Sequence, residues 1–117
     1  MKLDRLTGST AYRASTSYLR ECFTTAVSRS YRPAGTARQL AAVVGDGDRT
    51  KILSGIRIPT HVIHGAADVL VPIQAGRDLA ACIPGSTLDI VEGMGHDLPR
   101  ELWPRFADSI GRVAARS

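Results

Sequence analysis

Ile58-Pro59-Thr60-His61-Val62-Ile63-His64-Gly65-Ala66-Ala67-Asp68 reads as a short strand that runs into a glycine and ends on a carboxylate. Residues 59–64 are of β type, and Gly65 stops the run. Downstream, Pro72 opens a helix whose apolar positions are Ile73, Leu79, Ala80 and Ile83, and Pro84-Gly85 closes it. Ser86 to Glu92 is a second strand, carried by Leu88, Ile90 and Val91. A strand, a helix and a strand of this length make one βαβ unit, so the two strands are expected to be parallel with a right-handed crossover. The loop Gly93-Met94-Gly95-His96 follows. A last helix from about Trp103 places Phe106, Ile110 and Val113 on one stripe. The fold class is α/β.

In open parallel sheets, reactive groups gather just past the carboxyl ends of the strands. Asp68 follows the first strand and His96 the second, 28 residues later, so one rim of one sheet should hold both. An acid and a histidine so placed suit acyl transfer. The imidazole takes a proton from a hydroxyl and returns it to the leaving group, while the carboxylate fixes its tautomer and stabilises its cation. Gly93 and Gly95 let the histidine loop bend tightly. Taken singly, a loop aspartate is more often a turn residue, and a histidine between glycines more often part of a turn. The pairing at neighbouring strand ends is what marks Asp68 and His96 as candidate catalytic residues.

Other candidates read as structural. His61 and His64 lie three apart on a strand and so point to opposite faces, which makes them poor joint metal ligands with Asp68. No metal is expected. Cys22 and Cys82 form no framework and read as free, buried thiols. Cys82 falls on the crossover helix, away from the sheet rim, and is no substitute nucleophile. Met94 reads as packing, and Trp103 as packing or as the wall of a pocket.

Upstream, the pattern changes at about residue 57. Residues 1–56 read as helices and loops, and residues 57–117 as the alternating segment. Thr10 to Ser28 is expected to be helical, although its many Ser and Thr residues weaken the propensity. Arg32-Pro33 is a break, and Pro33 suits the first turn of the next helix. Leu40, Val43 and Val44 give that helix an apolar stripe, and Gly45 to Gly47 stops it. Arg49 to Leu53 should add one more short turn.

The bulk properties exclude several classes. A chain of 117 residues is one domain at most. With 44% hydrophobic and 22% charged residues, it is globular and not disordered. The formal charge of +4 is nearly all arginine, scattered along a chain with 5% aromatic residues. Nucleic-acid binding favours a clustered basic stripe and stacking aromatics, so no nucleic-acid partner is expected. No apolar run approaches the roughly 18 residues of a membrane span. MKLDRLTGSTAYR holds no stretch of signal-peptide length, so a cytoplasmic location is expected.

Several ordered motifs together resemble one family. Residues 58–68, followed by Val71-Pro72, resemble the penultimate strand and acid loop of α/β-hydrolases. Ile83-Pro84-Gly85-Ser86 is similar to their last crossover, and Gly93-Met94-Gly95-His96-Asp97-Leu98-Pro99 to their histidine loop. Tyr31-Arg32-Pro33-Ala34-Gly35-Thr36-Ala37-Arg38-Gln39-Leu40 resembles the cap-region helix of esterases and methylesterases in that family. The likeness spans about residues 30–114. It implies that Asp68 is the triad acid and His96 the triad base. It implies that residues 57–117 are the C-terminal βαβα portion of a hydrolase sheet, and residues 1–56 a cap-region segment. The implied activity is carboxylic-ester hydrolysis without a cofactor.

The family order is serine, acid, histidine, with the serine in a G-x-S-x-G elbow. No such elbow stands in this sequence: Gly8-Ser9, Ser54-Gly55 and Gly85-Ser86 all fail the spacing. His64-Gly65 leads into the acid and is not the family's oxyanion loop. The expectation is an incomplete domain, inactive alone, that meets a small-molecule ester only when an N-terminal half completes it. Val62, Ile63 and the backbone edge of their strand should then be open, with self-association as the consequence. The alternative is a non-catalytic truncated remnant or a small interaction module.

Overall fold

The computed structural model describes residues 6–117. Residues 1–5, part of the stretch read above for a signal peptide, lie outside them. The described chain mixes helices with a two-stranded parallel sheet, an α/β composition. Three helices come first: α1 (Thr16–Arg29), α2 (Ala34–Asp46) and α3 (Thr50–Ser54). Then follow β1 (His61–Gly65), α4 (Ile73–Cys82), β2 (Thr87–Val91), a 3-10 turn at Arg100–Leu102, and α5 (Trp103–Ala115).

Local chemistry explains most of these bounds. α1 begins at Thr16, not at Thr10, because extended Ser15 caps it: the Ser15 hydroxyl accepts the Tyr18 N–H at 3.2 Å. Residues 7–11 are drawn elsewhere, onto the loop after β2. Pro33 precedes α2, where its missing N–H costs nothing. Asp48 accepts the Thr50 amide at 2.9 Å and so starts α3.

β1 and β2 pair in parallel from His61 with Thr87 to Gly65 with Val91. The ladder extends by one bond at each end, Thr87 N–H to Thr60 O and Ala66 N–H to Val91 O. β1 uses both of its faces, as the period of two requires. On one, the His64 ring lies against Gly76 of α4, and α4 packs on both strands. On the other, Ile63 packs with Tyr12 against a core of Val91, Met94, Leu102 and Phe106.

This corrects three expectations. Val62 is buried, not open: α4 packs directly on β1 and covers the face that Val62 and His64 share. Cys22 is exposed, because it lies on α1, a helix with no buried residue; Cys82 is partly buried, and both thiols are free. The α5 stripe is only partly used: Phe106 is buried, Val113 half-buried and Ile110 exposed, since the core ends at Phe106. Among the described residues, β1 pairs with β2 alone, and no helix is long and apolar enough to cross a membrane.

Candidate functional site

The two loops that leave the carboxyl ends of the strands are bonded to each other. Ala67 N–H donates to Met94 O at 2.9 Å, and Asp68 N–H turns back to Gly65 O at 3.1 Å. Gly65 makes this contact possible. A Cβ there would run into the Met94 carbonyl and lie 2.7 Å from the Gly95 carbonyl oxygen, so any larger residue would push the acid loop off the histidine loop. Gly93 opens the second loop with φ +73, a conformation that L side chains avoid.

Both carboxylate oxygens of Asp68 are engaged. Oδ1 accepts the N–H groups of Leu70 and Val71, each at 2.9 Å. Oδ2 lies 2.8 Å from Nδ1 of His96. The carboxylate side chain is 6% exposed and the imidazole 52%. Burial alone would push the Asp68 pKa up. The Val71 amide, the His96 ring and the Leu70 amide together outweigh it and hold the carboxyl below the ordinary aspartate value. An ionised Asp68 facing Nδ1 selects the tautomer that carries its proton there. Nε2 is then the nitrogen with a free lone pair, on a ring open over half its surface.

The remaining residues singled out by sequence lie elsewhere. His61 Nδ1 is 2.6 Å from the Thr87 hydroxyl, and His64 Nε2 is 2.9 Å from the Val71 carbonyl oxygen. The two rings therefore serve different contacts. Among the described residues, no three His, Cys, Asp or Glu side chains are grouped to hold a metal ion. Met94 is buried in the core. Trp103 is partly exposed and donates its indole N–H to Leu98 O at 2.9 Å.

Sequence reasoning missed two partners of the histidine loop, Thr7 and Ser9, and one contact that follows it in the chain, at Arg100. Thr7 accepts the His96 N–H at 2.7 Å. Ser9, read only as part of a failed elbow, is 1% exposed and bonded to Gly95 and Asp97. The Arg100 guanidinium lies over the rings of Tyr18 and Trp103, at 5.1 and 5.3 Å from their centroids. It ties α1 to the start of α5 by cation–π contact. A concavity lined by Thr7, Ser9, Tyr12, Arg13 and His96 opens beside the imidazole.

No family model matches the chain. Among curated proteins it is 33% identical over 92 residues to a pimeloyl-[acyl-carrier protein] methyl ester esterase of Aromatoleum aromaticum, across 79% of this chain and 33% of that protein. It is 44% identical over 55 residues to the non-heme chloroperoxidase CPO-A1 of Kitasatospora aureofaciens, across 46% of this chain and 20% of that protein. An uncharacterized protein of Mycobacterium tuberculosis is 38% identical over 55 residues, 16% of its length. The chain thus spans a third or less of the relatives it matches. What the comparisons give is a partial similarity to α/β-hydrolases, an esterase and a chloroperoxidase among them.

Proposed function

We propose that the chain is the C-terminal portion of an α/β-hydrolase, with residues 1–56 as cap-region segment and 57–117 as the βαβα portion, and that it supplies acid and base to a carboxylic-ester hydrolase. The observation that carries this reading is the 2.8 Å contact between Asp68 and His96 at the carboxyl ends of two parallel strands. The partial similarity to an esterase supports it. In this mechanism His96 Nε2 removes the proton from a serine hydroxyl as that oxygen attacks the ester carbonyl. Asp68 stays ionised and stabilises the imidazolium. The same proton then passes to the departing alkoxide, and water repeats the cycle on the acyl-enzyme. The serine and the oxyanion donors come, on this proposal, from polypeptide outside these 117 residues. The compartment proposed is the cytoplasm, and no cofactor takes part.

The test is hydrolysis of p-nitrophenyl acyl esters by the chain alone and by the chain joined to whatever is encoded upstream of Met1. Alone, it should match a His96→Ala control. Joined, it should hydrolyse the ester, and Asp68→Asn should lower the rate by about 10⁴-fold, as expected when the tautomer is lost. A burst and a trapped acyl-enzyme on the chain alone would overturn the shared-site reading. A second reading, a non-catalytic interaction module, is favoured by the exposed Leu40, Val43 and Val44 of α2. A joined protein with no hydrolysis, but with a partner held through those residues, would select it.

A further inference from the structure

We propose that Ser9 is a positioning residue for His96, acting through a clamp that residues 7–11 close over the histidine loop. The inference rests on the reading of His96 as the triad base. The Ser9 hydroxyl donates to Asp97 Oδ1 at 2.5 Å and accepts the Gly95 N–H at 3.0 Å. Gly95 and Asp97 are the two chain neighbours of His96, so one buried oxygen grips the loop on both sides of the imidazole. The His96 N–H itself donates to Thr7 O, and the Ala11 N–H donates to Gly93 O at 3.1 Å. Gly95 packs so closely on this segment that a Cβ there would lie 2.5 Å from Thr7 O.

The arrangement addresses a weakness of the acid–base pair. Asp68 fixes one corner of the ring, at Nδ1, but His96 stands on a loop that needs two glycines. A loop free to shift by an ångström would move Nε2 by as much, and misplacement of that size can cost on the order of 10²-fold in rate. Ser9 removes the freedom without touching the ring. Its proton is committed to Asp97 and its oxygen is covered, so it is not itself placed to attack a substrate. A hydroxyl buried this deeply is costly unless both donor and acceptor are matched, and here both are.

The experiment uses the full chain and compares wild type, Ser9→Ala and Ser9→Thr by amide hydrogen exchange. The low-field proton resonance of the His96–Asp68 hydrogen bond is followed alongside. Ser9→Ala should speed exchange at Gly95 and His96 roughly tenfold, about the worth of one lost hydrogen bond, and broaden the low-field proton. Val62 and Val91, whose N–H groups donate across the β1–β2 ladder, should keep their protection. Ser9→Thr, which retains a hydroxyl, should restore both signals. Unchanged exchange at Gly95 and His96 in Ser9→Ala would overturn the clamp. Should Ser9→Ala loosen the ladder as well, Asp97→Ala removes the outer acceptor alone. The local pattern is then expected again, and uniform loosening in both variants would overturn the proposal. Asp68→Asn separates the two readings. A low-field proton that survives it would refute the Asp68–His96 pair, while the clamp is still decided by the exchange of Gly95 and His96.

Discussion

Residues 16–54 and residues 61–115 are both built largely of regular structure, yet they differ in what that structure buries. The first region has three helices and no buried residue in any of them. Leu40, Val43 and Val44 of α2 are 64%, 72% and 76% exposed. The second has two strands, two helices and a 3-10 turn, and it holds Val62, Ile83, Val91, Met94, Leu102 and Phe106 away from water. Helix formation needs only local agreement: a cap at Ser15, a break at Pro33, residues of fair propensity between. Burial needs a second surface. Helices of 14 and 13 residues are marginal in water without one. Stability should therefore reside in the second region, and the apolar stripe of α2 is a surface still to be covered.

The largest effect that tests this contrast comes from emptying the core. Phe106→Ala removes a buried ring that packs with Val91, Met94 and Leu102, and should cost about 3–5 kcal/mol. Val44→Ala removes an exposed group and should change stability by no more than about 0.5 kcal/mol. Urea unfolding of both variants decides the matter. Comparable losses would show that α2 is packed in solution, against a second copy or against the sheet.

The same contrast explains what sequence could and could not disclose. The βαβ unit was legible because proline and glycine punctuate it at Pro72, Pro84 and Gly93, and because strands and helix differ in apolar period. The placement of Asp68 and His96 on one rim followed from that topology alone. The Ser9 contacts did not, since they join residues 86 and 88 positions apart through one hydroxyl and obey no periodicity. The start of α1 was misread for the same reason, because residues 7–11 answer to the histidine loop and not to their own helix propensity. The stripe of Leu40, Val43 and Val44 did predict a helix. Amphipathic pattern states which face asks to be buried; it does not supply what buries it.

A smaller effect should appear in acid. The folded Asp68 pKa lies below its ordinary value of about 3.9, so ionised Asp68 favours the folded state. A depressed carboxyl contributes stability that is fully present above the unfolded value and lost as pH falls through the folded one. The urea midpoint should thus decline below about pH 4. Asp68→Asn should lower stability at pH 7 by about 1.5–3 kcal/mol, the usual worth of hydrogen bonds to a charged group, and flatten that decline. Some slope should remain, because Asp89 is lowered too, first by its hydrogen bond from Arg105 and against its burial. An acid limb identical in wild type and Asp68→Asn would mean that the site carries none of the second region's stability.

The smallest expected effect separates tertiary from local ion pairs. Arg105 Nε donates to Asp89 Oδ2 at 2.9 Å, and Nη2 to Oδ1 at 2.5 Å. This fork joins α5 to β2 across the second region. In the first region Arg49 pairs with Asp46 only three residues away, so the contact joins nothing that the chain does not already hold together. The Arg49–Asp46 pair is open to solvent and the Arg105–Asp89 pair is partly so, and exposed pairs are worth about 0–1 kcal/mol. Two-pronged geometry should put Arg105–Asp89 near the top of that range and Arg49–Asp46 near zero. Double-mutant cycles with Arg105→Ala and Asp89→Asn, and with Arg49→Ala and Asp46→Asn, give each coupling free of other losses. Repeating them in about 1 M salt should shrink the first coupling, because a Debye length of about 3 Å screens open charges. Equal couplings in the two regions would break the contrast at its finest grain, since a local pair can match a tertiary one only if the first region is also held in a fixed packing.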